Sequence, residues 1–463
     1  MNIVAMDEKK VPLSKMYFSM ALPLVLSMVT AMIYNIADTW FISAAGNTNL
    51  IAGVSLNAPV LTLLMAFGNI YGQGGSSLIS RLIGGKDHQS VRRVSSVCFY
   101  LALLTGVVVA TVMLAFRTPI LYLLGASEET LQYASSYYTC LAIGAPAIVF
   151  SFVPSNLLRS EGMSKEAMID TMCGTVANII LDPILIYGLG MGAAGAATAT
   201  VVAYLLTDLY AIVIICRKSQ ILSLNPREAR TTRSNIAQIF GIGIPAALTN
   251  IMQSFSTVLM NQFLLAYGTD QIAAMGIALK VAQIGILVLV GLTFGALPLF
   301  GYYYGAQRRE KFMELLHFCM RFIFTVAIVL TVVIFAAARP LIRFFVEDVS
   351  LISMGATMLR LQVISLLGVA VVLLITIVFQ SIGKVKEMLF LSVSRQGVVF
   401  LVVLLVASAM AGYYGVIASQ AISDVISAVL ALILYEHWKK EYIRPLSHNQ
   451  SQADCKRSHA TAY

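Results

Sequence analysis

The chain has 463 residues, of which 59% are hydrophobic and only 11% are Asp, Glu, Lys or Arg, where a soluble globular domain carries about 25% charged residues. So little charge cannot keep a chain of this size in solution, and a mean hydropathy of +0.83 makes lipid the main solvent. The net charge of +9 does not point to nucleic acid, because the charges sit in short loops beside apolar runs, as membrane orientation signals do.

The N-terminal stretch 1–15 is polar, with Asp7, Glu8, Lys9 and Lys10, and has no small-residue cleavage site after a short apolar core. Twelve apolar segments follow, each near or above the roughly 20 residues a membrane-crossing helix needs. The first, 16–43, holds Pro23, which leaves the Ser19 carbonyl without its helical donor and predicts a kink. It also holds Asp38, within Tyr34-Asn35-Ile36-Ala37-Asp38-Thr39-Trp40. Segment 51–79 contains Gly72-Gln73-Gly74-Gly75, which lacks the following Lys-Ser/Thr of a phosphate loop. Segments 94–116 and 131–158 come next, and then 166–188 with Asn178 and Asp182-Pro183. Asn178 and Asp182 are one turn apart and share a helix face. A carboxylate and an amide there offer oxygen ligands to a small cation, or a proton site with a hydrogen-bonding neighbour. Segment 192–216 opens with Gly-Ala-Ala-Gly-Ala-Ala-Thr-Ala-Thr, small residues that let helices pack closely.

The second half runs through 235–266, 272–300, 315–338, 352–381, 387–411 and 415–438. Segment 235–266 carries Gln253 and Met260; 272–300 carries Met275 and Lys280, which sits deep enough to need a partner or a wet cavity. Gln253, Met260, Met275 and Lys280 are candidates for a substrate cavity, where flexible methionines suit varied apolar guests. Arg321 and Arg395 read as residues reaching for the membrane interface; Asp208 and Asp424 read as helix-end or packing residues. An ionisable residue at mid-membrane costs on the order of 2.5–3.5 kcal/mol, so Asp38, Asp182 and Lys280 each require a reason to be there.

Alternate loops carry 24 Lys and Arg, in 1–15, 80–93, 159–165, 217–233, 308–311, 384–386 and the tail after Trp438; the opposite loops carry Arg117, Arg339 and Arg343. That asymmetry places both termini in the cytoplasm. The chain also repeats. Pro23 recurs as Pro245, Gly46 as Gly268, Gly84 as Gly305, Gly162 as Gly383 and Gly192 as Gly412. A register this steady predicts a duplicated six-helix unit, and an even number of spans per unit makes the repeats parallel. The expected fold is therefore an all-α membrane protein of twelve transmembrane helices in two parallel six-helix repeats. Its parts would be an N-tail 1–15, a first lobe 16–216, a cytoplasmic linker 217–234, a second lobe 235–438 and a C-tail 439–463. Two such lobes suggest alternating access around a midplane cavity.

Cys98, Cys140, Cys173, Cys216, Cys319 and Cys455 form no CxxC, so neither a disulfide framework nor a metal site is expected. No Walker A, HExxH or GxSxG sequence occurs, so direct ATP use and the corresponding enzyme chemistries are not expected.

Pro23 and Asp38, the Ile79-Ser80-Arg81-Leu82-Ile83-Gly84 segment, Leu158-Arg159-Ser160-Glu161-Gly162, Asn178…Asp182-Pro183 and the small-residue run at 192–200 together resemble the multidrug and toxic compound extrusion (MATE) family, in its DinF-like and MepA-like bacterial branch. The resemblance covers about residues 12–440. It implies a two-lobed efflux antiporter of the bacterial inner membrane that exports amphipathic, often cationic compounds in exchange for H+ or Na+, with no cofactor and no resident metal. It implies partners limited to the bilayer and small organic substrates, no nucleic acid, and a monomer. Carried over by motif, the cation site would use Asp38, Asn178, Asp182 and Thr200, with Tyr138 and Asn156 as hydrogen-bonding neighbours. A NorM-like branch uses acids of the second half; this chain has none in 235–266 or 352–381, so coupling is expected in the first half. Two other readings stand beside this one. A flippase for a lipid-linked or polysaccharide precursor, of the same superfamily, would use Lys280, Arg360 and Arg395 on an anionic headgroup; a membrane-embedded transferase would need a DDxxD-type cluster that the sequence lacks.

Overall fold

A backbone in hydrocarbon must satisfy its own hydrogen bonds, and twelve apolar runs with no paired strands leave only helices. The computed structural model describes residues 3–44, 48–346 and 348–460, with all side chains except those at 35, 36, 39, 40, 42–44, 48 and 443–460. Gly46 and the side chains of Asn35, Thr39, Trp40 and Cys455, named above, thus lie outside the described residues. Among the described residues there is no strand. The first half comprises α1 (Ile3–Glu8), α2 (Leu13–Ala44), α3 (Thr48–Ser55), α4 (Ala58–Gly84), α5 (His88–Ala115), α6 (Arg117–Leu123), α7 (Glu128–Glu161), α8 (Ser164–Pro183) and α9 (Gly192–Lys218). The second comprises α10 (Arg233–Leu265), α11 (Thr269–Gly305), α12 (Arg309–Ala336), α13 (Ala338–Arg343), α14 (Val349–Ile364), α15 (Leu366–Ile382), α16 (Val385–Val393) and α17 (Val399–Ala460).

Several expected spans are built from two helices. The segment at 51–79 is α3 plus α4, and that at 352–381 is α14 plus α15. The apolar run Val385–Tyr442 is 58 residues long, about 87 Å as one helix, far beyond a hydrocarbon core of about 30 Å. Gly412 breaks it with φ 53 and ψ −126, so the run serves as two crossings, where 387–411 and 415–438 were expected. Short α6 and α13 were not expected at all; they occupy corresponding places in the two halves.

The duplication is written in the backbone. Left-handed φ values at Lys86 and Gln307, at Gly162 and Gly383, and at Gly192 and Gly412 recur at the offsets read from the sequence. The halves part company elsewhere: π-helical turns occupy Ile184–Gly188 in one and Ser394–Val398 in the other, which do not correspond.

The halves meet through backbone-close contacts at one end. A Cβ on Gly243 would lie 2.0 Å from the Ile70 carbonyl oxygen, and one on Gly74 would lie 2.1 Å from that of Ile239, so α4 and α10 touch main chain to main chain. Lipid gives no hydrophobic drive for helix association, and such close approach lets dispersion and polar contacts replace it. On the other diagonal, Gly291 and Gly295 of α11 meet Val25 and Ala21 of α2, and the Tyr17 hydroxyl donates to Leu292 O at 3.0 Å. Gln380 donates to Gln73 at 3.4 Å, and its carbonyl accepts from Ser77. The N-terminal helix α1 seals this end: Asp7 is buried, pairs with Arg308 and Lys311, and accepts from Tyr302 at 3.0 Å. All these contacts lie toward the end that bears the Lys- and Arg-rich loops, called here the basic end.

Toward the opposite end the same helix faces are bare. Eleven residues at about 100° each return nearly to the same face, so Lys280 shares the α11 face of Gly291, and Leu63 shares the α4 face of Gly74. Lys280 and Leu63 are exposed, as are Val29 of α2, four residues beyond Val25, and Ser254 and Thr257 of α10, eleven and fourteen residues beyond Gly243. The lobes are therefore closed at the basic end and splayed at the other, with a cleft between α2, α4, α10 and α11.

Candidate functional site

Within the first half, α2 packs on α8, and α8 on α9. That packing brings Asp38, Asn178, Asp182 and Thr200 together from three helices. Asp38 and Asp182 face each other within electrostatic range, so the two carboxylates share one site that a proton or a small cation can neutralise. In the orientation that satisfies both ends of its amide, Asn178 donates to Asp182 Oδ2 at 2.8 Å and accepts from the Thr200 N–H at 3.1 Å. Asp182 is fully buried, and its Oδ1 has no hydrogen-bond partner among the described residues. Pro183 ends α8 directly after it, and the π-helical turn closes with Leu189 N–H on Ile184 O at 2.9 Å. Such turns recur at functional positions in helices.

The neighbours differ from those expected. Tyr138 turns away, its hydroxyl donating to Met113 O of α5 at 3.2 Å. The adjacent Tyr137 faces the acids instead: it lies in electrostatic range of Asp38 and Asp182 and beside Thr200. Tyr34 of α2 does the same toward Asp38 and Thr200. Asn156 spends its amide on Phe152 O at 2.7 Å, within its own helix. One residue along a helix is a rotation of about 100°, and α7 is apolar on every side, so no stripe in the sequence says which tyrosine points inward.

In the second half, Lys280 is exposed on the cleft face and has no hydrogen bond or ion pair among the described residues. Gln253 is exposed on α10. Met260 and Met275 are buried in the packing of their own lobe and do not line the cleft. Arg395, expected at the interface, is buried and pairs with Asp424 at 2.8 Å. Arg360 lies 5.3 Å over the Phe335 ring of α12. Pro23 sits inside α2, which continues as one helix through it, and the Ser27 hydroxyl caps the Pro23 carbonyl at 3.0 Å.

Among the described residues no group of three or more His, Cys, Asp or Glu could hold a metal ion. The oxygens of Asp38, Asn178, Asp182 and Thr200 suit a proton or a small hard cation, and the orphaned Asp182 Oδ1 leaves a coordination position for it.

A two-lobed helical bundle with a cleft between the lobes and a buried acid pair beside it defines a membrane transporter, not an enzyme. The chain belongs to the MATE family: the MatE family model matches it twice, over residues 23–184 and 245–406. It is 32% identical to the multidrug export protein MepA of Staphylococcus haemolyticus strain JCSC1435, over 92% of this chain and 94% of that one. The MepA of Staphylococcus aureus strain MRSA252 is 30% identical over the same shares. Among solved structures, a MATE crystallised in complex with MaL6 superposes with a TM-score of 0.88 at 25% identity, covering 94% of this chain and 97% of that one.

Proposed function

We propose that this chain exports structurally varied, amphipathic organic compounds by antiport, with H+ or Na+ entering at Asp38, Asn178, Asp182 and Thr200. The observation that carries the reading is the pairing of an interlobe cleft, closed at one end, with a buried carboxyl pair in one lobe. A ligand shifts a two-state equilibrium only by its differential affinity for the two states. The acid pair provides such a lever, because its charge changes when a cation binds while the lobes rock between opposite openings. The multidrug export ascribed to the MepA relatives supports the substrate class. The lobes would be 16–216 and 235–438, joined by the linker 217–234, in a monomer of the bacterial inner membrane. The Lys and Arg asymmetry supports cytoplasmic termini, with the cleft open to the outside.

Lys280 is the cation that remains on the cleft face, since Arg395 is neutralised by Asp424 and Arg360 lies against α12. One ammonium is a poor cradle for an anionic lipid headgroup, which favours export of organic compounds over lipid flipping. The test is efflux of a fluorescent organic cation from proteoliposomes under an imposed ΔpH or ΔpNa, each alone. One gradient is expected to drive export, and Asp38→Asn and Asp182→Asn are each expected to abolish it while leaving the fold intact. Efflux under neither gradient, or gradient-driven export by both variants, would reject the reading.

A further inference from the structure

A second pair of acids lies deeper in the same lobe, apart from the Asp38–Asp182 pair. Asp170 is on α8, twelve residues before Asp182, or about 18 Å nearer the basic end along the helix axis. It is fully buried. Asp208 of α9 is 7% exposed and in electrostatic range of Asp170. Gly174 holds the two helices together here: a Cβ on it would lie 2.2 Å from the Thr207 hydroxyl oxygen.

The polar groups around the pair do not neutralise it. Ser155 of α7 donates to Asp170 Oδ2. Arg159, one turn further along α7, lies in electrostatic range of Asp170, yet no ion pair within 4 Å joins it to either acid among the described residues. Tyr204 of α9 faces Asp208; Tyr210 of α9 and Cys173 of α8 lie in range of Asp170, and Tyr210 also in range of Glu166. Asp170 Oδ1 and Asp208 Oδ1 are buried and without a hydrogen-bond partner among the described residues. Two carboxylates and one guanidinium leave one uncompensated negative charge, and an unpaired charge in a low-dielectric interior is removed by taking up a proton.

The second half supplies a contrast. Its buried Arg395–Asp424 pair, one acid and one base at 2.8 Å, is already neutral and asks for nothing. The first half also connects its two acid pairs. Thr200, Tyr204 and Asp208 fall at i, i+4 and i+8 on α9, one continuous stripe. Thr200 lies at the central site, Asp208 is in electrostatic range of Asp170, and Tyr204 is in range of both Asp208 and the central tyrosines Tyr34 and Tyr137.

We propose that Asp170 and Asp208 form a second proton-binding site, which holds one proton between the Asp38–Asp182 pair and the basic end. It deepens the antiport reading and rests on it for a place in the transport cycle, but proton binding itself is measurable without drug or gradient. The experiment is pH-difference infrared spectroscopy of the reconstituted full chain in an Asp38→Asn/Asp182→Asn background, where the central pair cannot titrate. A titrating band from a protonated buried carboxyl is expected to remain. Adding Asp208→Asn or Asp170→Asn should remove it, and adding Asp208→Glu should shift it. Thermal melts of each variant report on folding, and the Glu variant retains a readable band should an Asn variant fail to fold. In the otherwise native chain, Asp208→Asn should slow ion-driven efflux at least tenfold while leaving drug affinity without a gradient unchanged. No titrating buried carboxyl in the double background, or a band indifferent to both acids, overturns the second site. Efflux under no gradient, with the band present, instead overturns the antiport reading and leaves the site standing.

Discussion

Lys311 Nζ lies 3.2 Å from Asp7 Oδ1, joining the helix before the first span to the start of α12, some 300 residues later. The carboxylate is 3% exposed while the Lys311 and Arg308 side chains are about half exposed, so water screens the partners more than the acid. In the alternating-access reading, this bond must break whenever the basic end opens. Asp7→Asn removes the charge and keeps the shape. We expect it to shift the lobes toward the opposite opening by about 1.5–3 kcal/mol, the worth of charge-assisted hydrogen bonds, or tenfold and more in population. Spin-label distances between the loops at 85–87 and 306–308 should lengthen in the variant; an unchanged distribution would show that the latch carries no weight.

Two adjacent tyrosines separate the site from its surroundings. Tyr137→Phe deletes a hydroxyl that lies beside Thr200 and in electrostatic range of the acid pair. Tyr138→Phe deletes one that serves Met113 O. The first is expected to reduce ion-driven efflux several-fold with little change in drug affinity. The second should cost about 1 kcal/mol of stability and leave coupling intact. Equal effects of the two on coupling would count against the arrangement.

In the antiport reading proposed above, Lys280 belongs to the cleft and not to the cation site. Lys280→Ala should alter the relative efflux of cationic and neutral drugs, because a positive charge on the cleft face repels cations. Proton or Na+ binding, measured without drug, should be unchanged. Loss of ion binding in this variant, with retention in Asp38→Asn, would assign the halves the other way round.

The closed end depends on a main-chain contact that admits no side-chain atom. Gly243→Ala places a methyl 2.0 Å from the Ile70 carbonyl oxygen, and such overpacking costs about 1–3 kcal/mol. The cost falls only on the conformation in which α4 and α10 touch. Labelling of a cysteine introduced at Ile239 should therefore speed up in the variant. Labelling at the wild-type rate would mean that the contact survives the methyl.

Asp87 caps α5, its Oδ1 accepting from Ser90 N–H at 3.0 Å. The hydrogen bonds from Ser90 hold its carboxyl below the usual range. A depressed folded value means that the cap stabilises above the unfolded carboxylate range, and that this contribution is lost as pH falls through the folded value. Asp87→Ala should lower stability by about 1 kcal/mol at neutral pH, with the deficit shrinking in acid. A deficit that is constant from neutral to strongly acidic pH would refute the cap's charge dependence.

The spans and the central acids were legible because each costs something that sequence displays: long apolar runs need no other explanation, and Asp38 and Asp182 are expensive where they stand. The duplication was legible through Gly162 and Gly383, whose positive φ values restrict what can replace them. Three features were not. Helix rotation decided Tyr137 over Tyr138, and an apolar helix records no rotation. Asp170 lies six residues from the start of α8, and no sequence pattern brings Ser155 of α7 and Asp208 of α9 to it. Asp7 looked like part of a solvated tail, since its partners Arg308 and Lys311 are unremarkable loop cations until the chain has folded.

The sealing contacts at the basic end also constrain biosynthesis. Asp7, Tyr17, Ile70 and Gly74 are made before their partners at Arg308, Leu292, Gly243 and Ile239, which emerge well over 150 residues later. At roughly 5–20 residues per second, the early helices wait many seconds in the bilayer with those faces bare. The first lobe must therefore hold together through its own α4–α7 and α8–α9 packing, and closure of the molecule is a late event that follows insertion of α10 and α11. A truncated nascent chain ending before Arg233 should already protect the Asp182 neighbourhood from labelling, yet leave the Gly74 face open.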